Sequence, residues 1–240
     1  MSFRLEGRTA LVVGGTSGIG LGIARRLEAA GSEVHITGTR NVEDYGDGVT
    51  GLTCHRLDVV DDAAVAELAG QLEVLDILVY SAGTVAYRRA EYDIATFRQV
   101  VEVNLIGAMS CCTAFHRTLA RAADAAVLLV GSTSSFIATP GQPAYGASKG
   151  ALVTLVKSLA KAWAHDGIRV NGLAPGLVDT KLTTASRDNA RAYAASLERI
   201  PLGRWGTPEE MGEAATFLVS PLASYITGQM LLVDGGTTLL

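Results

Sequence analysis

Short apolar runs rich in branched residues recur along the chain and alternate with segments of helical periodicity. Two of them are TALVV at 9–13 and AVLLVG at 126–131, and neither shows the polar alternation of a half-exposed strand. Similar runs of strand length lie at 33–37, 52–57, 75–80, 168–174 and 230–233. Such runs are typical of strands buried on both faces, as in parallel sheets covered by helices. The pattern predicts an α/β, doubly wound fold around a seven-stranded parallel sheet with helices on both faces.

The segments between these runs show the three- and four-residue apolar spacing of amphipathic helices. They lie at 19–30, 63–72, 97–120, 143–163 and 208–219. No repeat period and no linker rich in proline or serine interrupts the chain, so we expect one domain over residues 1–240. The connection at 181–204 has no strand signal, and a connection of that length in a compact domain is usually functional. We expect it to form a lid over the substrate.

Composition restricts the classes of partner. The net charge is −4 and charges of both signs are scattered along the chain, which argues against a nucleic-acid surface or a basic membrane-binding face. The cysteines lack the spacing of a disulfide framework or a metal site, and the histidines are too scattered to ligate a metal. These residues are Cys54, Cys111, Cys112, His35, His55, His116 and His165. We therefore expect a cytoplasmic protein with no metal, no nucleic-acid partner and no membrane partner.

A glycine-rich turn directly follows the first predicted strand. In GGTSGIG, Gly14, Gly18 and Gly20 open the helix predicted at 19–30. Glycines at such a turn let backbone N–H groups approach a pyrophosphate closely, and the helix N-terminus adds partial positive charge. Glycine spacings of this kind arise readily by chance among 27 glycines. Because a strand precedes this turn and a helix follows it, a dinucleotide site is the stronger interpretation.

A tyrosine and a lysine stand one helical turn apart at the start of the segment PAYGASKGALVTLVKSLAKAW, residues 143–163. Apolar positions at Leu152, Val156 and Leu159 predict the buried stripe of a helix. Tyr145 and Lys149 can then act on the same small volume. Taken alone, the pair also fits a half-buried tyrosine beside a lysine whose ammonium reaches water. The pair by itself therefore leaves a catalytic role and a structural role open.

Further motifs in a fixed order accompany the glycine turn and the tyrosine–lysine pair. They are LDVVD at 57–61, SAG at 81–83, VNLIGA at 103–108, GS at 131–132, YGASK at 145–149, RVNGLAPGLVDT at 169–180 and GQMLLVDGG at 228–236. In their order and spacing, residues 7–236 resemble the short-chain dehydrogenase/reductase family, whose members have a Rossmann fold. The resemblance implies an NAD(P)-dependent oxidoreductase that transfers hydride between a nicotinamide cofactor and a ketone or secondary alcohol.

The resemblance also implies a catalytic group of Asn104, Ser132, Tyr145 and Lys149. Tyr145 would exchange a proton with the substrate oxygen, Ser132 would donate a hydrogen bond to that oxygen, and Asn104 would hold a water-linked proton relay. An ordinary phenol, with a pKa of about 10, is a poor base at neutral pH. An ammonium on Lys149 at about 5 Å would favour the phenolate by about 3 kcal/mol at an effective dielectric of about 20. Oxidised nicotinamide would add further positive charge, so with the cofactor bound we expect the pKa of Tyr145 to be lowered towards neutrality.

Cofactor contacts follow from the same resemblance. The glycine turn and the strand ends would hold the pyrophosphate and the adenosine, and segments after the fifth and sixth strands would hold the nicotinamide and its ribose. The implied residues are Gly14, Thr16, Ser17, Gly18, Ile19, Gly20, Thr39, Arg40, Asp58, Val59, Ser81, Ala82, Gly83, Tyr145, Lys149, Pro175, Gly176, Val178 and Thr180. The chain departs from the family pattern at Tyr80 and Ser81, which replace a usual pair of asparagines. We expect Ser81 to supply some of the lost hydrogen bonding.

The end of the second predicted strand bears on the choice of dinucleotide. NAD-preferring sites usually have an acid here that binds the ribose hydroxyls and repels a 2′-phosphate, but Gly38 stands at this position. Arg40 offers a planar cation to a phosphate, although Glu43 or Asp44 could pair with it instead. Hydroxyls that could assist belong to Thr16, Ser17 and Thr39. We expect NADP(H) to be favoured over NAD(H).

Two other functions share parts of this pattern. A catalytically idle dinucleotide-binding redox sensor would keep the glycine turn without a complete catalytic group, and an epimerase or dehydratase would usually need a larger C-terminal substrate domain. We expect the substrate to be a small carbonyl compound or alcohol. Its pocket walls are predicted at 84–87, at 133–143 and in the lid, and to be largely apolar. The apolar members would be Val85, Phe136, Ile137 and Leu182.

The resemblance further implies a homotetramer. In the family, helices corresponding to 97–120 and 145–164 pair between subunits, and the last strand and helix pair across a second axis. Apolar side chains at the C-terminal end are then expected to be buried between subunits. They are Leu231, Leu232, Leu239 and Leu240.

Overall fold

The computed structural model describes residues 3–239, except for the side chains of residues 185 and 186. Seven strands form one parallel sheet in the order β3-β2-β1-β4-β5-β6-β7. They are β1 (Thr9–Val13), β2 (Glu33–Gly38), β3 (Thr53–Arg56), β4 (Ile77–Tyr80), β5 (Ala125–Val130), β6 (Ile168–Pro175) and β7 (Met230–Val233). The fold class predicted from the apolar runs is confirmed, and every strand ends within two residues of its predicted bounds.

Helices cover both faces of the sheet. They are α1 (Gly18–Ala29), α2 (Asp62–Gln71), α3 (Ile94–Val101), α4 (Gly107–Leu119), α5 (Pro143–Trp163), α6 (Thr184–Arg187), α7 (Ala190–Glu198) and α8 (Pro208–Val219). One buried cluster joins Ala10 and Val12 of β1 to α1 and α8. A second cluster joins Leu11 and Val13 of the same strand to α2, α4 and α5. Because successive side chains point to opposite faces, both faces of β1 are buried, which explains its unbroken apolar run.

The strand order changes direction beside β1. Strands β2 and β3 lie on one side of β1, and the chain then crosses over to place β4 on the other side. In open parallel sheets, ligands bind in the crevice outside the carboxyl ends of the strands at this point. The loops after β1 and β4 begin at Gly14 and Ser81, so both lie beside this crevice.

The prediction of one regular helix over 97–120 is wrong in its first residue and in its regularity. The helix begins at Ile94, and a π-helical turn at Glu102–Ile106 separates α3 from α4. A π turn carries one extra residue per turn and is often found at functional positions. Apolar periodicity does not reveal such a turn, because the helix continues on both sides of it. The turn contains Asn104.

A tyrosine side chain links β4 to this π turn. The Tyr80 hydroxyl donates a hydrogen bond to the carbonyl of Val103. Gly107 leaves room for the ring, since a Cβ there would lie 2.7 Å from the Tyr80 hydroxyl. The departure from the family pattern at Tyr80 therefore supplies a direct bond between the central sheet and the helix that carries Asn104.

The connection at 181–204 contains helices that the sequence did not predict. A 3₁₀ turn at Lys181–Thr183 is followed by α6 and α7. The buried Trp205 packs at the base of this segment, where its indole N–H donates to the Ser196 hydroxyl at 2.7 Å and its ring lies 5.2 Å from that of Tyr193. Helix α7 has no buried residue, so it lacks the apolar stripe by which helices are recognised in a sequence.

Candidate active site

A cleft of about 750 Å³ opens at the carboxyl ends of the central strands. It brings together every residue predicted to contact the cofactor and three of the four predicted catalytic residues. These are Gly14, Thr16, Ser17, Gly18, Ile19, Gly20, Thr39, Arg40, Asp58, Val59, Ser81, Ala82, Gly83, Ser132, Tyr145, Lys149, Pro175, Gly176, Val178 and Thr180. Lining residues that the sequence did not single out are Thr37, Tyr45, Leu57, Val103, Val130 and Gly131.

The glycine turn is shaped for close backbone approach. Gly14 has φ of +79°, and a Cβ there would lie 2.6 Å from the backbone nitrogen of Ala82. Gly18 also has a positive φ, of +53°. Ser17 is the N-cap of α1, but its side chain accepts no cap hydrogen bond, so the first-turn N–H groups lack a side-chain partner there. A helix N-terminus of this kind beside the cleft fits the pyrophosphate of a dinucleotide.

Tyr45 fills the space beside Gly38 at the end of β2. A Cβ at Gly38 would lie 2.8 Å from the Thr16 side chain and closer still to the Tyr45 hydroxyl, so an acidic side chain has no room here. The Tyr45 hydroxyl accepts a hydrogen bond from the backbone N–H of Arg40 at 2.7 Å. The Arg40 guanidinium lies 4.5 Å from the centre of the Tyr45 ring. Among residues 3–239, Arg40 forms an ion pair with neither Glu43 nor Asp44.

Tyr145 and Ser132 meet at the inner end of the cleft. Tyr145 lies in the first turn of α5, and Ser132 follows β5 and accepts a hydrogen bond from the backbone N–H of Ser134 at 3.1 Å. The Ser132 side chain also lies beside the Tyr145 phenol. Burial raises the pKa of the Tyr145 phenol above its ordinary value, while the Ser132 side chain acts in the opposite direction. Burial therefore favours the protonated phenol.

Lys149 lies beside Tyr145 as expected, and a lowered Tyr145 pKa with oxidised nicotinamide bound stays a prediction. The Lys149 ammonium donates to the carbonyl of Val130 at 2.7 Å and lies 5.8 Å from the centre of the Tyr145 ring. Burial lowers the pKa of Lys149 itself to about 8. Because Lys149 is buried and bonded to the main chain, desolvation rather than its charge dominates the pKa of Tyr145.

Asn104 lies behind the cleft wall instead of lining it. Its side chain is fully buried, accepts from the backbone N–H of Thr84 at 2.7 Å, and donates to the Thr84 carbonyl at 2.9 Å. Its amide also donates to the Ser148 hydroxyl at 3.1 Å. A Cβ placed on Gly83 would lie 3.4 Å from both the Asn104 amide oxygen and the Lys149 nitrogen, so these two polar groups flank the same glycine.

A buried acid near the cleft was missed by the sequence analysis. Glu91 is 1% exposed and accepts hydrogen bonds from the backbone N–H groups of Ala86 and Tyr145 at 3.0 Å and 2.9 Å. No sequence signal distinguishes Glu91 from the nearby Asp93, which caps α3 by accepting from the N–H of Thr96. Only the three-dimensional arrangement identifies which of the two acids faces Tyr145.

Polar and apolar residues both line the substrate side of the cleft. Of the four apolar wall residues, Leu182 lines the cleft, whereas Val85, Phe136 and Ile137 do not. The apolar character expected of the substrate pocket stays a prediction. Polar residues that line this side are Thr84, Ser132, Lys181 and Thr183. The Tyr87 hydroxyl donates to the Leu182 carbonyl at 2.6 Å, which joins the 84–87 wall to the 181–204 segment.

Among residues 3–239, no cluster of three or more His, Cys, Asp or Glu side chains is placed to hold a metal ion. Within the same residues, no helix has both the length and the hydropathy to cross a bilayer.

Comparison with known proteins identifies the family. Residues 13–238 match the sequence profile described as Enoyl-(Acyl carrier protein) reductase. Galactitol 2-dehydrogenase (L-tagatose-forming) of Cereibacter sphaeroides is 40% identical over 248 residues, which cover 98% of this chain and 97% of that protein. The chain belongs to the short-chain dehydrogenase/reductase family. The Rossmann fold and the chemistry implied by the sequence motifs are confirmed, and the chain is an NAD(P)-dependent oxidoreductase of this family.

Solved structures of family members are closely similar. One from Agrobacterium tumefaciens, provisionally named 2-deoxy-D-gluconate 3-dehydrogenase and containing NADP, has a TM-score of 0.93 and 36% identity. It covers 100% of this chain and is itself covered to 99%. Gluconate 5-dehydrogenase of Burkholderia cenocepacia, in complex with NADP and tartrate, has a TM-score of 0.93 and 32% identity, with coverage of 100% and 98%.

Proposed function

We propose that this oxidoreductase interconverts a ketone and a secondary alcohol on a small polyhydroxylated substrate, such as a sugar alcohol or sugar acid, with Tyr145 as the acid/base. The observation that carries the proposal is the placement of the Tyr145 phenol beside Ser132 inside the cleft, with Lys149 buried next to the same ring. A bound nicotinamide would supply or accept the hydride.

Each member of the catalytic group has a separate role in this proposal. In the reducing direction, Ser132 donates a hydrogen bond to the substrate carbonyl oxygen and Tyr145 transfers its phenolic proton to that oxygen. Lys149 holds a positive charge beside the ring when protonated and would bond the nicotinamide ribose. Asn104 fixes Thr84 through two hydrogen bonds and anchors the proton relay from the π turn.

Polar groups on the substrate side support a hydroxylated substrate. Hydroxyls of Thr84 and Ser132 and the ammonium of Lys181 can bond several oxygens of one small molecule. The names of similar proteins also support a hydroxylated substrate, since they include a galactitol dehydrogenase and a gluconate dehydrogenase. Tartrate, the small molecule in one similar structure, is also a hydroxylated acid.

A substrate panel tests the proposed function. Sugar alcohols, sugar acids, simple cyclic ketones and a 3-oxoacyl thioester are each offered with NADP(H) and NAD(H), and the cofactor absorbance is followed. We expect the highest kcat/KM with a sugar alcohol or sugar acid. A preference for the thioester would overturn the substrate class while leaving the reaction class intact. Cofactor binding without turnover of any substrate would favour the idle redox sensor.

The cofactor end of the cleft supports NADP(H) over NAD(H). With Gly38 packed against Thr16 and Tyr45, no carboxylate is present to repel a 2′-phosphate. The Arg40 guanidinium lies over the face of the Tyr45 ring, and the Tyr45 hydroxyl accepts a hydrogen bond from the backbone N–H of Arg40. These two contacts orient the cation without neutralising its charge. Both similar structures described above contain NADP.

Replacing Arg40 should discriminate between the two dinucleotides. We expect Arg40→Ala to raise the Kd for NADPH by roughly 10- to 100-fold, which corresponds to the loss of a charge-assisted bond of about 1.5–3 kcal/mol. The Kd for NADH should change by less than about threefold, because its ribose carries no phosphate at that position. Fluorescence titration of both cofactors measures the effect. Equal losses for the two, or a wild-type preference for NADH, would contradict this assignment.

We also propose that residues 1–240 form one catalytic domain and that 181–204 acts as a lid. The hydrogen bond from Tyr87 to Leu182 and the placement of Lys181, Leu182 and Thr183 in the cleft wall support this role. Helices α6 and α7 form most of the rest of this segment, and Trp205 binds it through the hydrogen bond to Ser196. The proposed cellular location is the cytoplasm, in agreement with the free thiols of Cys54, Cys111 and Cys112.

A homotetramer is the proposed assembly. Leu231 and Leu232 are 39% and 37% exposed in the isolated chain, and Leu239 is 82% exposed. Leu240 lies outside the described residues. Ile106 and Met109, near the start of α4, are also exposed apolar residues on one of the helices expected to pair. Light scattering at micromolar concentration should give four times the 25.0 kDa mass of the chain. A mass of one chain would contradict the proposal.

A further inference from the structure

A buried carboxylate connects the substrate side of the cleft to the start of the catalytic helix. Glu91 lies in a short 3₁₀ turn at Ala90–Tyr92 and is almost fully buried. One of its oxygens, Oε2, accepts from the backbone N–H of Tyr145 at 2.9 Å. The other, Oε1, accepts from the backbone N–H of Ala86 at 3.0 Å. A buried carboxylate is costly unless it is hydrogen-bonded, so these two bonds are tied to the folded state.

The backbone is bent to bring Glu91 inward. Arg88 and Arg89 have φ of +57° and +62°, a left-handed conformation that is unfavourable for residues other than glycine. Such conformations persist where the surrounding structure determines them, and they concentrate at functional sites. Here the two residues end the substrate-side wall and start the turn that carries Glu91.

The Glu91 carboxylate lies at the N-terminus of α5. Among residues 3–239, Glu91 forms no ion pair with a basic side chain. Helix α5 is 21 residues long, and its N-cap, Gln142, makes no side-chain cap bond. The Glu91 carboxylate supplies a cap from a different element, where the helix dipole favours negative charge. A carboxylate in this position is therefore held close to the catalytic tyrosine.

We propose that Glu91 is a positioning residue for Tyr145, and that its negative charge helps to set the pH at which the tyrosine exchanges its proton. The inference rests on the acid/base role proposed above for Tyr145. Through Ala86, the same carboxylate fixes the wall that continues to Tyr87 and its bond to the 181–204 segment. The Glu91 carboxylate thus connects the 84–87 wall and the 181–204 segment to the catalytic Tyr145.

The groups that act on the phenol give the sign of the effect. They are Ser132 after β5, Tyr87 after β4, Lys149 on the same helix, and Glu91, which bonds the backbone N–H of Tyr145. Burial raises the pKa of Tyr145 most, the Ser132 side chain lowers it, and the charges of Tyr87 and Glu91 raise it further. Removing the charge of Glu91 should therefore make the phenol a stronger acid.

The pH dependence of alcohol oxidation in a Glu91→Gln variant tests this inference. Oxidation requires Tyr145 to accept a proton, so kcat rises with pH as the phenol ionises. We expect the midpoint of this rise to move to lower pH by roughly 0.5–1 unit, because the substitution keeps the side-chain size but removes a nearby negative charge. The Kd for NADPH should remain that of the wild type.

Two variants separate the effect of charge from that of structure. Glu73→Gln neutralises an exposed acid just after α2 and should leave the midpoint unchanged. Glu91→Asp keeps the charge but shortens the side chain, so kcat should fall while the midpoint stays near the wild-type value. It also provides the test should Glu91→Gln not fold, and a shifted midpoint in Glu91→Asp would overturn the inference.

The remaining outcomes distinguish the inference from the function on which it rests. Wild-type turnover with an unchanged midpoint in Glu91→Gln would refute the role of Glu91 alone. Absence of turnover by the wild type on the whole substrate panel would refute the proposed function and the inference with it.

Discussion

Tyr145→Phe should reduce turnover by roughly 100-fold or more while leaving the fold and cofactor binding intact. The substitution removes only the phenolic oxygen, which is the group that exchanges a proton with the substrate. Because the ring remains packed in the first turn of α5, the Kd for NADPH should change by less than about twofold. The measurement is kcat in both directions on the best substrate of the panel, with NADPH binding followed by fluorescence.

A matched tyrosine provides the control for this experiment. Tyr225 is 100% exposed, so Tyr225→Phe removes a phenolic oxygen that is far from any buried group. It should keep full activity. Near-normal turnover in Tyr145→Phe would remove Tyr145 from the acid/base role, whatever the behaviour of the control.

Lys149→Met should also reduce turnover by roughly 100-fold or more, for a different reason. The variant keeps a long side chain under the Tyr145 ring but removes the ammonium that bonds Val130 and can bond the cofactor ribose. In contrast to Tyr145→Phe, it should weaken NADPH binding as well as catalysis. Lys157→Met, which replaces an exposed lysine on the same helix, should leave both unchanged.

The stability of the Lys149→Met variant should show a distinctive pH dependence. Burial lowers the pKa of Lys149 to about 8 in the folded protein, below its ordinary value of 10.5. Between these two values the unfolded state binds more protons than the folded state, so this residue makes the wild type more stable as pH rises. The variant should lack that contribution. Its Tm relative to the wild type should fall between pH 8 and pH 10, and a constant difference would contradict the assignment.

Much of the fold was predictable because both faces of the sheet are buried. A strand such as β5, in which every residue is buried, must be apolar throughout, and its sequence shows this directly. Elements without a buried stripe gave no such signal, which is why α7 was missed. The π turn at Glu102–Ile106 was missed for another reason, since it interrupts hydrogen bonding within a helix whose apolar periodicity continues.

The candidate site was predictable where a short motif places its members. The glycine turn and the pair of Tyr145 and Lys149 each lie within one element, so their spacing in the sequence determines their spacing in the structure. Tyr45 and Glu91 reach the cleft by loops, and loop geometry is not encoded in a periodic pattern. Burial of both groups opposes the effect of the Lys149 charge on the Tyr145 pKa, and this burial is a property of the packed structure that the short motif does not show.

Transfer of an isotope from cofactor to substrate tests the central claim most directly. NADPH carrying deuterium at one or the other C4 position is incubated with the wild-type enzyme and the ketone form of its best substrate, and the alcohol is analysed by mass spectrometry. If the chain is an oxidoreductase that transfers hydride within this cleft, one of the two labels should appear on the carbinol carbon of the product, and Tyr145→Phe should slow its appearance by roughly 100-fold or more. Binding of NADPH with no transfer of either label to any ketone of the panel would contradict that claim.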